Sequence, residues 1–296
     1  MQQVPQFSHK LYGGCGTSTA TSTQLNGGYG TSGKSRHFGG VMNSQAKYKP
    51  TLPLARGWLN FATVVEIIAI LQLYFFTSST DKYFAWTIQN PLSAAYLGAG
   101  FGAGFILVFL YRNEKLWANA RVAFPGVLVF TLLTLVATLL HVDKFHIVTS
   151  NLPSAVFFSW VWLIIYIIAP IVQIAALWQQ ARVTGGDPPR EHPLPRWLTA
   201  TLSVHVALML LFGIPLFVAP EALSRFWLWE LTPLTARAVS AWLVGIGVIL
   251  GHALWENDWI RIRGGALAYA VYCAMLLIAS SVTRKKSSSD PLFGYF

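Results

Sequence analysis

The chain is poor in charge: Asp, Glu, Lys and Arg make up 11% of its 296 residues, whereas hydrophobic residues make up 54%. An ordinary soluble domain carries roughly 25% charged residues, so this composition points to an integral membrane protein. Acidic residues are the scarcest, 11 against 21 Lys and Arg, which leaves a formal net charge of +10. That excess does not gather on one soluble face, as nucleic-acid binding requires; it falls in short connections between apolar runs, and no nucleic-acid partner is expected. Cysteine is nearly absent. Cys15 lies in a polar tail and Cys273 in an apolar run, so neither a disulfide framework nor a metal cluster is expected. HExxH, CxxC, GxSxG, Walker A and the dinucleotide glycine fingerprint are all missing. His141, His146 and His192 are scattered without metal-ligand spacing. The last apolar run holds no lysine for a Schiff base. These absences lead to an expectation of no enzyme activity, no cofactor and no metal.

Residues 1–55 are rich in Gly, Ser and Thr, as in GGCGTSTATSTQLNGGYGTSGKSRHFGG. Such a segment buries too little surface to overcome its chain entropy and reads as a disordered tail. No apolar stretch precedes Cys15, so neither a lipoprotein nor a secretory signal is expected. Beyond Arg56, apolar runs of about 20 residues recur, each sufficient for a ~30 Å hydrocarbon core. Seven spans are expected, near 57–77, 91–111, 121–141, 154–178, 198–218, 233–253 and 264–283. The fold class is therefore read as all-α, with seven transmembrane helices. Asn90 before Pro91 and Thr232 before Pro233 each supply a helix cap followed by a proline whose missing N–H costs nothing in the first turn. Pro125, Pro170 and Pro215 fall inside spans and predict kinks. A cytoplasmic tail puts fourteen Lys and Arg on its own side and six on the other. The positive-inside rule then predicts a cytoplasmic N-terminus in the cell (inner) membrane. Arg284, Lys285 and Lys286 conflict with this, because seven spans place them outside. Trp58, Trp117, Trp178, Trp197, Trp255 and Trp259 are expected at one interface, and Trp86, Trp160, Trp162, Trp227 and Trp229 at the other, as an aromatic belt.

Comparison of NPLSAAYL with TPLTARAV exposes an internal repeat. At a constant separation of 142 residues, Phe84 meets Phe226, Pro91 meets Pro233, Leu92 meets Leu234, Ala94 meets Ala236, Glu114 meets Glu256, Trp117 meets Trp259, and Arg121 meets Arg263. The reading is two parallel three-helix units, 56–142 and 198–283, joined by a fourth helix within 143–197 and followed by a polar tail, 284–296. In each unit Glu, Trp and Arg follow at intervals of three and four, which predicts one helical face anchored at the interface: Glu114, Trp117 and Arg121, then Glu256, Trp259 and Arg263. These six are candidate interface or lipid-headgroup contacts. Gly98 with Gly102, Gly100 with Gly104, and Gly247 with Gly251 have GxxxG spacing, which lets another helix approach closely.

Ionisable residues inside spans are costly and mark candidate sites. Glu66 and His205 are expected nearly level, roughly 13 and 10 Å from the same edge at 1.5 Å per residue. They are read as facing one another, with Thr63, Gln72 and Gln173 as polar lining. The functional version is a proton or cation relay, since imidazole switches easily; the alternative is one buried hydrogen bond that fixes helix register. Arg237, only about 6 Å deep from the other side, is expected to snorkel toward Glu221 or Glu230.

The stretch APEALSRFWLWELTPLTARAVSAWLVGIGVILGHALWENDWIRIR, residues 219–263, resembles a pattern in bacterial multi-pass membrane proteins: Pro-Leu-Thr-Ala-Arg, small residues, then Glu-Asn-Asp-Trp. The likeness is weaker over residues 84–121. It implies bacterial origin and carries no activity. Two functions stay open, a structural or accessory membrane subunit packing on other membrane subunits or on a second copy, and a small-solute or proton-coupled ion transporter using Glu66 and His205. The lipid bilayer is the partner common to both.

Overall fold

The computed structural model describes residues 48–289, with side chains to residue 282. The expected tail up to residue 47, Cys15 within it, and the side chains of the terminal basic triplet lie outside the described residues. Ordered contacts begin earlier than the expected tail boundary. Lys49 N donates to Gly186 O, Thr51 N to Lys115 O, and Gln180 both accepts from Leu52 N and donates to Pro50 O.

The described residues are all-helical. In chain order they form α1 (Pro53–Ile70), prolonged by a wide π turn (Leu71–Phe75), α2 (Thr80–Tyr83) and α3 (Pro91–Tyr111). Then come α4 (Trp117–Ala120), α5 (Phe124–Leu140), α6 (His146–Thr149), α7 (Pro153–Ala181), α8 (Arg196–Val218), α9 (Pro220–Leu223), α10 (Pro233–Glu256) and α11 (Trp259–Ser289). The caps are those expected: Asn90 Oδ1 accepts from Leu92 N, and Thr232 Oγ1 accepts from Thr235 N. Six helices are long and apolar enough to cross a membrane, namely α1 with its π turn, α3, α7, α8, α10 and α11 through Val282. The fold is thus compatible with a multi-pass membrane protein. Helix α5 is apolar but only 17 residues long. It is shorter than the expected 121–141 because Trp117–Ala120 coils into a separate turn. Pro125 accordingly lies in the first turn of α5 and starts it instead of kinking it, whereas Pro170 and Pro215 are interior to α7 and α8.

Helix α3 packs between α1 and α11, α10 packs between α8 and α5, and α7 lies along α5. Small residues set these distances. A Cβ at Gly126 of α5 would stand 2.5 Å from Gly245 O of α10, and one at Gly98 of α3 would stand 2.7 Å from Tyr74 N in the π turn. A Cβ at Gly100 would stand 2.6 Å from the ring of Trp242. That ring is already held against Phe130, centroids 4.0 Å apart, and edge-on to Phe101 at 5.1 Å. The glycines singled out by their spacing therefore serve contacts within the chain: Gly102 faces Met275, Gly104 faces Glu66, Gly247 faces Leu210, and the nearest atom to Gly251 belongs to Val206.

The aromatic belt is only half present. Trp178, Trp197, Trp255 and Trp259 are exposed, but Trp58, Trp86 and Trp117 are buried. Trp86 is drawn inward because the segment after α2 folds under α6 and α7, where its ring meets Phe84, Phe145 and Trp162.

The packing at Gly100 leaves no room for a methyl group. Gly100→Ala is expected to lower stability by about 1–3 kcal/mol, read as the midpoint of thermal unfolding in detergent. In a Trp242→Leu background the same substitution should cost measurably less, because the two positions share one contact.

Candidate functional site

Glu66 lies thirteen residues beyond Pro53, about 20 Å along α1 at 1.5 Å per residue, in the middle of a 23-residue apolar helix. Its carboxyl sits over Gly104 of α3, where a Cβ would come within 2.8 Å of Oε2. Only glycine leaves space for it. The residue as a whole is half-buried, yet Oε2 is sealed from solvent and has no hydrogen-bond partner. The Tyr166 phenol of α7 is within electrostatic reach. Glu66 opens onto a cavity of about 50 Å³ between α1, α3, α5, α10 and α11, and it is the sole carboxyl in the wall.

The remaining wall is apolar and falls mostly into pairs 142 residues apart. Ala103 and Gly245, Gly104 and Ile246, Leu107 and Ile249, Val108 and Leu250, Gly126 and Ala268, Val127 and Tyr269, and Phe130 and Tyr272 all line it. Gly265 and Trp242 line the wall without a matching member in it; Trp242 touches Gly100, the residue 142 positions before it. The matching position to Glu66 is Leu208, which is exposed. Sequence reasoning identified Glu66 and Gly104 but not Gly126, Gly245, Trp242 or Tyr269; the 142-residue register, which pairs α3 with α10 and α5 with α11, was the available signal.

The expected partners of Glu66 do not join it. His205 is level with it but bonds its own helix, Nδ1 to Thr201 O, and its ring lies edge-on to Tyr269. Tyr269 is part of the cavity wall, so helix α11 stands between the two groups. Thr63 Oγ1 donates to Leu59 O. Gln173 Nε2 reaches Thr131 Oγ1 at 3.4 Å, its Oε1 is buried without a partner, and so is Gln72 Nε2 in the π turn. None of these three side chains lines the cavity.

The charged motif at the end of the bundle where α1 begins is rearranged relative to expectation. Glu256 and Arg263 do not pair along one helical face, and Arg263 is exposed. The Glu256 side chain is fully buried and is held by Arg121 and by Arg261, with Arg190 at 3.8 Å and His252 at 3.6 Å. Arg121 also binds Asp187 at 2.7 Å. One carboxylate thus joins the start of α5, the connection before α8, and the junction of α10 with α11. Asn257, left-handed at φ 44°, ends α10 and accepts from Leu194 N. Asp258 then accepts from the backbone of His192, Ile260 and Arg261. Burial disfavours the Asp258 carboxylate, but these three N–H groups hold its pKa below the usual carboxylate value. In the first half Glu114 accepts from Asn119 Nδ2 at 3.3 Å. Asn119 and Arg261 are 142 apart, so the two acids are met from corresponding positions. Trp117 is buried, and Trp259 is exposed.

Arg237 does not reach Glu221 or Glu230. Its Nε donates to Phe217 O at 3.1 Å and its Nη1 to His141 Nε2 at 2.5 Å. It caps the C-terminal end of α8 through the Phe217 carbonyl and ties it to the His141 side chain that follows α5. Burial first, and then the Arg237 charge, push the His141 pKa below its ordinary value. Neutral imidazole is the form that can accept this bond. Compared with known protein families, curated proteins and solved structures, the chain matches none.

Glu256→Ala leaves two buried guanidinium groups without their carboxylate, and a loss of about 3–5 kcal/mol is expected; Arg263→Ala should stay within about 0.5 kcal/mol. Comparing the two unfolding midpoints checks the rearranged pairing. His141, with its pKa lowered on folding, contributes stability that is fully present above its unfolded pKa of about 6.5 and lost as pH falls through the folded value. His141→Gln, whose amide oxygen accepts without titrating, should flatten the dependence of unfolding temperature on pH between about 7 and 5. Asp143, Lys144 and Glu221 also act on this imidazole, so the same scan on Glu221→Gln separates their share.

Proposed function

We propose that the protein is a seven-span membrane protein made of two parallel three-helix units, and that its working site is the Glu66 cavity, which takes up and passes a small solute or ion with proton coupling. The observation that carries this reading is a mid-helix carboxyl that faces a cavity with one oxygen, Oε2, buried and without a hydrogen-bond partner. An acid in that position is expensive to bury and has no structural bond to account for it.

The paired lining supports the two-unit arrangement. So does the packing, because the partners of α3, namely α1 and α11, correspond to the partners of α10, namely α8 and α5. Parallel repeats with the site at their interface are a recurrent transporter plan, although a fold alone carries no activity. A seventh crossing by α5 is supported by the contacts at its two ends: Arg121 meets Glu256 at one, and His141 meets Arg237 at the other. The count of Lys and Arg favours a cytoplasmic N-terminus in the cell membrane. The alternative, a structural or accessory subunit, is supported by the poverty of charge within the spans; its glycine faces are largely taken up by contacts within the chain.

Reconstitution into liposomes with an imposed pH gradient tests the proposal. Glu66→Gln keeps the shape and removes the titratable group. It should abolish protein-dependent proton movement while leaving the elution volume in detergent unchanged. Proton movement equal to that of the unaltered protein would sink the reading.

A further inference from the structure

We propose that the occupant of the Glu66 cavity is a small ammonium cation, either ammonium itself or methylammonium; this rests on the reading of Glu66 as the working site. Size sets the first limit. The cavity is about 50 Å³, whereas an apolar cavity of ~150 Å³ is what benzene requires. One or two heavy atoms fit, and an amino acid, a sugar or an aromatic amine does not.

The chemistry of the wall sets the second limit. A bare metal cation gives up its water only for several oxygen ligands, and this wall offers one carboxyl, with Oε2 unpartnered. An anion is excluded by the same carboxyl. What the wall does offer beside that group is aromatic surface: Trp242, Phe130, Tyr269 and Tyr272. A π face attracts an ammonium group and accepts its N–H bonds, and indole does so best. One carboxylate oxygen and four aromatic side chains around a space of this size suit a cation with a few N–H donors. A methyl substituent would rest against Leu107, Ile249 and the small residues of the wall.

The four glycines in the wall sharpen the point. A Cβ at Gly104 would meet the Glu66 carboxyl, and one at Gly126 would meet Ile249 and the Gly245 carbonyl. The carboxyl and the space beside it both exist because side chains are missing there. Gly104→Ala therefore blocks the site without altering its charge.

The test is uptake of radiolabelled methylammonium into proteoliposomes at about pH 6, where nearly all of it is charged, with protein-free vesicles as background. Proton movement is followed in parallel. Saturable uptake is expected, competed by ammonium chloride but not by sodium chloride or tetraethylammonium chloride. Glu66→Gln should reduce it at least ~10-fold, and Trp242→Leu should weaken half-saturation by ~2–5-fold, the span of an exposed to partly desolvated cation–π contact. Glu66→Asp, which keeps the charge, should retain part of the uptake and so guards against a folding artefact. Wild-type vesicles that show Glu66-dependent proton movement but no methylammonium uptake overturn the ammonium assignment alone. Uptake competed equally by sodium overturns it as well. Absence of both activities, or of any dependence on Glu66, overturns the site itself.

Discussion

Two backbones touch where α5 crosses α10, Gly126 against the Gly245 carbonyl, and the interior of the bundle is arranged around that contact. In a bilayer, lipid tails are as apolar as leucine, so helices are not driven together by water and must gain from close van der Waals approach. Glycine at both positions brings the helices near enough to press Phe130 on Trp242, and Trp242 into the notch at Gly100. The positions matching Gly245 and Gly126 on α3 and α11 are Ala103 and Ala268, one methyl group larger each, and both are buried in the cavity wall. The cavity is the space left over between these two helix pairs. Its volume is therefore a property of four small residues and not of the carboxyl that faces it.

The end of the bundle where α1 begins is secured by different means. Glu256, fully buried, takes two guanidinium groups, and Asp187 takes a share of one of them. A buried ion pair returns less stability than its Coulomb attraction suggests, because both partners give up water. Its contribution lies in position: it fixes the start of α5 against the end of α10, the same two helices whose glycines meet further along. The opposite end is fastened by Arg237, a single cation that ties the C-terminal end of α8 to the His141 side chain after α5. The cavity thus lies between two polar fastenings, in a stretch held by packing and by a few hydrogen bonds such as Ser240 Oγ to Gly213 O.

Much of this was legible in the residues themselves. Asn90 with Pro91 and Thr232 with Pro233 start α3 and α10 where helix chemistry requires, and the depth of Glu66 follows from counting along an apolar run. Depth can be counted, but direction cannot. His205 lies level with Glu66 on the far side of α11, because a membrane helix is apolar on its lipid face and its core face alike, and the periodicity that orients a soluble helix is faint. Gly126 and Gly245 stand outside any GxxxG spacing, so their contact was hidden, while the spaced glycines of α3 were visible and are closely approached by other helices of the chain. The Glu, Trp, Arg pattern recurs in the residues at a separation of 142. Its pairing was misjudged because the buried Glu256 takes its cations from Arg121, in the other half, and from Arg261, two residues short of the motif's arginine.

The position matching Glu66 is Leu208, and Leu208 points away from the cavity. In a wall with seven matched pairs, a single acid removes a degeneracy. A cation docked there would have one orientation instead of two related by rotation. It would also have no second acid in the wall to move to, so release would pass the same carboxyl, and residence time would be set by one group on α1.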